Sequence, residues 1–180
     1  MTAQAQSDGR GFPWRIVGWG TVGFLLFLPW VANAPWTLSD YVFAAGMFAL
    51  VGGGLELAFR NSVHPAYQAG AGAAILAGFL TVWANGAVGM IGSEDNPYNF
   101  LFLGVPCAAL IGAILARFEA AGMTRAMIVA AAAQAAVGAG GLTADLRGGI
   151  LSIAFGGLWL LSAASFWSAA QRQTAERSAR

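Results

Sequence analysis

Charged side chains are scarce: nine Arg, eight acidic residues and no Lys make up 9% of 180 residues. A soluble domain covers its surface with roughly 25–35% charged residues, so a water-soluble globule is excluded. The single Cys, Cys107, rules out an intrachain disulfide and leaves no thiolate metal cluster. It lies inside an apolar run and reads as a small core residue. The single His, His64, stands beside Pro65 between apolar segments and reads as a solvated loop residue. No His pair for haem ligation exists, and H-E-x-x-H, G-x-S-x-G, a P-loop and paired intramembrane aspartates are all missing.

What is present is apolar. Hydrophobic residues make up 58% of the chain, grouped in about six long stretches with the charges in the gaps. At about 1.5 Å rise per residue, a hydrocarbon core of about 30 Å takes roughly 20 helical residues. Six spans therefore leave only short loops. The stretches predict spans at Arg15–Val31, Asp40–Phe59, Ala66–Ile91, Pro97–Phe118, Thr124–Leu142 and Gly149–Trp167. The fold class expected is all-α: a polytopic transmembrane helical bundle over residues 15–168, flanked by cytoplasmic tails at 1–14 and 169–180. The first span also looks like a signal peptide ending in Ala32-Asn33-Ala34, but Pro35 at the cut would block cleavage.

The Arg distribution orients the bundle. Alternating loops place Arg10, Arg15, Arg60, Arg117, Arg125, Arg172, Arg177 and Arg180 on one side and only Arg147 on the other, with Asp40, Glu94, Asp95 and Asp145. Both termini are then expected in the cytoplasm. Tryptophans mark the interfaces: Trp30, Trp36 and Trp83 outside, Trp14 and Trp167 inside. Trp19 and Trp159 lie deeper and suit packing or the wall of a pocket.

Helix starts are legible too. Thr37-Leu38-Ser39-Asp40 reads as a capping box, with the Thr37 hydroxyl accepting from the Asp40 amide. Asn96-Pro97-Tyr98-Asn99 reads as an N-cap followed by proline at the first helical position. Gly104, Ala108, Gly112 and Ala116 recur every four residues in the fourth span as a small-residue stripe for close helix packing. Gly70, Ala74 and Gly78 repeat this in the third span. Gly46, Ala49 and Gly53 do so in the second, and Glu56 continues that face toward a neighbouring helix.

Few polar residues could carry chemistry. Glu56 is the only carboxylate inside a span, and an intramembrane carboxylate is costly unless paired or protonated. Arg60, one turn on, makes a structural ion pair the favoured reading. Asn85 and Gln134 suit hydrogen bonds between helices. The loop Gly92-Ser93-Glu94-Asp95-Asn96-Pro97-Tyr98-Asn99 is the densest polar cluster. A turn and a helix cap account for Asn96 and Asn99 but not for Glu94 and Asp95.

Three groups of residues carry a resemblance. They are Trp36-Thr37-Leu38-Ser39-Asp40-Tyr41 with Gly54-Leu55-Glu56-Leu57-Ala58, the run from Asn85-Gly86-Ala87-Val88-Gly89-Met90-Ile91 through Gly92-Ser93-Glu94-Asp95-Asn96-Pro97, and Ala116-Arg117-Phe118. Together they resemble a family of small, uncharacterised multi-pass inner-membrane proteins of proteobacteria, over most of the chain from the first to the fifth span. The resemblance implies a bacterial inner membrane and a helical bundle. It supplies no activity and no catalytic or binding residue.

The expectation is a non-enzymatic membrane component that acts by packing, with itself or in a larger membrane complex. Its partners are the lipid bilayer and other membrane chains. No cofactor, metal or nucleic acid is expected. A transporter or cation channel using Glu56, Asn85, Gln134 and the acidic loop is the alternative. An intramembrane enzyme acting on lipid or quinone comes third, since no two polar groups converge at one depth.

Overall fold

In lipid every backbone amide must find its partner within the chain, which favours helices joined by short, internally bonded turns. The computed structural model describes residues 14–179, and all regular elements among them are helical. They are α1 (Trp14–Val31), α2 (Leu38–Asn61), α3 (Pro65–Ala87), α4 (Phe100–Leu115, entered through a 3-10 turn at Pro97–Asn99), α5 (Ala120–Gly141) and α6 (Leu146–Ser178). Five of these segments are long and apolar enough to cross a membrane, and Arg15–Val31 forms a shorter apolar helix. The tail at residues 1–13, Arg10, the Trp14 side chain and Arg180 lie outside the described residues.

The chain divides into two compact units, residues 1–52 and 53–180, with the division inside α2. In the first unit, α1 ends in a Schellman turn: Asn33 takes a left-handed φ of 53°, and the Ala34 amide donates back to the Pro29 carbonyl at 2.9 Å. Asn tolerates this conformation better than most residues. Trp19 lies against Gly52, where an added Cβ would come within 3.0 Å of the indole. That contact joins the start of α1 to a late position in α2, so the two helices form an antiparallel hairpin.

At Thr37 the capping differs from expectation. The Asp40 carboxylate accepts from both the Thr37 amide (2.7 Å) and the Thr37 hydroxyl (2.8 Å), while the Asp40 amide bonds the Thr37 carbonyl at 3.1 Å. A carboxylate is the stronger acceptor, so it draws the hydroxyl as a donor.

In the second unit α5 packs along α6, α6 along α3, α4 along α5, and α4 more lightly on α3, closing a ring. The interior is mostly small: Ala77, Ala109, Ala113, Ala126, Ala130 and Ala163 pack around Val105, Met127, Trp159 and Phe166. Small residues let the backbones approach, and dispersion between close helices drives association in lipid. The α5 and α6 backbones come close at Gly138 and Gly149, where a Cβ on Gly149 would stand 2.9 Å from the Gly138 carbonyl oxygen.

The α4 stripe is split. A Cβ on Gly112 would meet Ala126 Cβ at 2.7 Å, and Ala116 crowds Gly122 across the following turn. Gly104, in contrast, has no atom within 4 Å. The reason is geometric: at 100° per residue, each four-residue step turns the stripe by about 40°, so it winds off any one face within a few turns. The buried face of α4 is instead Phe102, Val105, Ala109 and Ala113. Cys107 lies on the opposite side and is exposed, not a core residue. The α2 stripe is also open, with no atom within 4 Å of a Cβ on Gly46 or Gly53. The α3 stripe does meet a partner: a Cβ on Gly70 would stand 3.0 Å from the Phe166 ring, and one on Gly78 would stand 3.7 Å from Trp159.

Three helix bounds depart from expectation by four residues or more. α5 starts at Ala120, α3 stops at Ala87, and α6 runs through Ser178. The segment after Trp167 is rich in Ala, Gln, Glu and Arg, all strong helix formers.

Candidate functional site

Among the described residues, the densest polar structure caps one end of the four-helix unit. Two turns meet there: the α3–α4 connection and the α5–α6 connection. Gly89 (φ 75°) and Gly92 (φ 72°) let the first fold back on itself. A side chain at Gly89 would need an L-residue in a left-handed conformation and would put its Cβ 2.5 Å from the Ser93 carbonyl oxygen.

Asn99 organises the turn. Its side chain is buried, 3% exposed, and its Oδ1 accepts from the amides of Met90 (3.2 Å) and Ile91 (2.9 Å). Its Nδ2 donates to the carbonyls of Ile91 (3.3 Å) and Ser93 (2.7 Å). Asn85 Nδ2 then donates to the Asn99 carbonyl at 3.0 Å. Asn96 caps as expected for its residue type, Oδ1 accepting from the Tyr98 amide at 3.1 Å, and its Nδ2 donates to Ile91 O at 3.0 Å. α3 stops where it does because Asn99 captures amides that would have continued the helix.

Asp145 joins the two turns and was not among the residues singled out from sequence. One carboxylate oxygen accepts from the Gly148 amide (2.9 Å) as the N-cap of α6, and the other from the Gly92 amide (3.0 Å). These two amides, aided by Arg147, hold its carboxyl below the usual aspartate value. The signal was available: an Asp three residues before a glycine, opening a long apolar run, is an N-cap pattern. Tyr98 completes the cap, its hydroxyl donating to Val137 O at 2.7 Å.

Glu94 and Asp95 are exposed at the tip of the turn. Among the described residues no three of His, Cys, Asp and Glu come together. The side-chain oxygens of Asn96, Asn99 and Asp145 already accept backbone amide protons.

Polar side chains below the cap fasten helices to each other. Gln134 Nε2 donates to Ser152 O (3.3 Å), Ser162 Oγ to Gly70 O (2.7 Å), and Tyr67 OH to Phe118 O (2.8 Å). Several interior atoms have no hydrogen-bond partner among the described residues: Thr81 Oγ1, Asn85 Oδ1, Gln134 Oε1, Ser152 Oγ and Trp159 Nε1.

Glu56, Asn85 and Gln134 do not converge. Asn85 bonds the cap, Gln134 bonds α6 within the bundle, and Glu56 is half-buried a little over a turn from the far end of α2. The end of α2 adjoins the start of α3, and the 20 residues from Pro65 to Asn85 rise about 30 Å. Arg60 is exposed. His64 is half-buried rather than solvated: its Nδ1 accepts from the Ala66 amide at 3.2 Å and caps α3, with Pro65 following where no amide is needed. No protein-family profile matches the chain, nor does any curated protein or solved structure.

Proposed function

We propose that the protein is a non-enzymatic, multi-pass component of a bacterial inner membrane that works by packing against other chains, itself included, with both termini in the cytoplasm. The observation that supports this best is the open face of α2. Where α5 and α6 face each other, Gly138, Gly149 and Gly156 each stand against the partner helix, whereas a Cβ on Gly46 or Gly53 would meet no described atom within 4 Å, and Ala49 between them is exposed. In lipid such a face gains by accepting another helix at close range. The interior fasteners agree, since Asn85 and Gln134 each donate to a backbone carbonyl.

The test is the size of the assembly in lipid nanodiscs. Gly46→Leu with Gly53→Leu adds bulk where the chain itself has room, so helix content should be retained while the assembly falls apart. Unchanged assembly in the double variant, or a parent that is monomeric and co-purifies with nothing, would refute the reading.

Transport is the second reading, and the unpartnered interior atoms favour it. Thr81, Gln134, Ser152 and Trp159 offer free donors and acceptors inside the same four helices, and such groups can hold water. Flux in proteoliposomes that Gln134→Leu abolishes would establish it.

A further inference from the structure

We propose that the Arg-rich end of the bundle holds the headgroup of an anionic phospholipid, in a groove between the start of α5 and the end of α6. The groove has a volume of about 650 Å³, and its walls include Ala121, Thr124, Arg125, Trp167, Gln171 and Thr174.

Depth comes first. The 33 residues of α6 rise about 50 Å, well beyond a hydrocarbon core of about 30 Å. Counted from Leu146, roughly 20 residues complete the crossing, so the helix leaves the hydrocarbon near Trp167. That indole is 58% exposed, as suits a side chain at the boundary between acyl chains and headgroups. The groove continues from Trp167 toward the end of α6, alongside the first turns of α5. It therefore lies in the headgroup layer.

Chemistry comes second. The hydroxyls of Thr124 and Thr174 already donate to their own helix, to Ala120 O (3.0 Å) and Ala170 O (3.1 Å). Arg125 and Gln171, both exposed, are left as donors, and no carboxylate is among the lining residues. A guanidinium and an amide lining the same groove offer the donors that the two free oxygens of a phosphodiester accept from. Trp167 and the alanines supply an apolar wall where the acyl chains would begin. Arg117, Arg172 and Arg177 belong to the same end and, with Arg125, outnumber Glu119 and Glu176 there, so the potential around the groove is positive and favours a lipid of net negative charge.

The full chain in detergent micelles is titrated with dioctanoyl phosphatidylglycerol, and bound lipid is counted by native mass spectrometry. One lipid should bind saturably, and dioctanoyl phosphatidylcholine should bind at least about tenfold more weakly, the equivalent of about 1.4 kcal/mol. Arg125→Gln should lose the phosphatidylglycerol preference, Arg125→Lys should recover part of it, and Arg172→Gln should keep it. Gln171→Leu, on an exposed turn, serves as the second variant if Arg125→Gln loses helix content. Equal losses in Arg125→Gln and Arg172→Gln would replace the site by a diffuse field. Equal binding of the two lipids, or displacement by inorganic phosphate at millimolar concentration, would equally overturn the proposal.

Discussion

Replacing Asn99 by Ala removes the group that holds the cap together. Four bonds disappear: two from the amides of Met90 and Ile91, two to the carbonyls of Ile91 and Ser93. The carbonyls keep other donors or reach the rim, because Asn96 Nδ2 also bonds Ile91 O and the Asn96 amide bonds Ser93 O. The two amides have no such substitute. Met90 and Ile91 are 8% and 1% exposed, so their amides would be stranded out of water. A buried donor left unsatisfied costs about 1–3 kcal/mol, which places the loss at about 2–4 kcal/mol after some relaxation. Melting in detergent, followed by circular dichroism, should show it, along with faster proteolysis within residues 88–96. Asn99→Asp separates the two halves of the bond set. A carboxylate still accepts from both amides but sets an oxygen against Ser93 O, so it should fall between Ala and the parent at neutral pH and improve as the acid protonates. An Asn99→Ala variant within about 0.5 kcal/mol of the parent, the range of an ordinary surface change, would refute the assignment of Asn99 as organiser.

Gly112→Leu should destabilise by about 1–3 kcal/mol, since its Cβ alone falls 2.7 Å from Ala126 Cβ, whereas Gly104→Leu and Ile111→Leu should be near neutral; three equal melting curves would show that α4 does not pack on that side. The Asp145 carboxyl is held below its usual value of 3.8 by the amides it accepts from, so its contribution is full above that value and is lost as pH falls through the lower, native one. Acid melting of the cap should therefore set in below about pH 4 and be blunted in Asp145→Asn; identical acid profiles would dismiss it. Reporter fusions within residues 92–96 and after Arg180 should report opposite sides of the membrane, and agreement between them would overturn the orientation.

Hydrophobic length and helix starts were legible because they depend on local sequence. Six apolar stretches became six helices, and Asn96-Pro97 marks its helix start as residue type demands. What escaped was where side chains look. The four-residue spacing of Gly104, Ala108, Gly112 and Ala116 names a stripe, but a helix turns that stripe away from its neighbour within three steps. Only its lower half meets α5. Cys107 was misplaced for the same reason. In lipid an apolar residue is equally at home inside or outside, so hydropathy gives no clue to which face is buried. The end of α4 carried no local signal either. Its Schellman turn places Arg117 (φ 51°) and Phe118 (φ 59°) in left-handed conformations without a glycine, each costing about 1–2 kcal/mol. The Phe118 amide bond to Ala113 O and the Tyr67 hydroxyl bond to Phe118 O offset this, and the second of those partners lies 51 residues away.

The polar residues show the same divide between local and distant information. Asn85, Gln134 and Glu56 stood out because each is polar inside an apolar run, and that much is visible in any window of the sequence. Whether they share one wall depends on helix order and phase. Asn85 is drawn to the cap by Asn99, itself fixed by a turn that two glycines permit. Gln134 is drawn to α6 because Gly138 and Gly149 bring the two backbones together one turn away. Once each amide has donated, its oxygen is left over: Asn85 Oδ1 and Gln134 Oε1 both lack a partner among the described residues. Apolar substitution therefore separates a fastener from a conduit. Gln134→Leu in a pure fastener loses one bond and also relieves one buried acceptor, so the two effects oppose and stability should change little. In a hydrated path the same change removes a group that water bonds to, and flux rather than stability is what should fall.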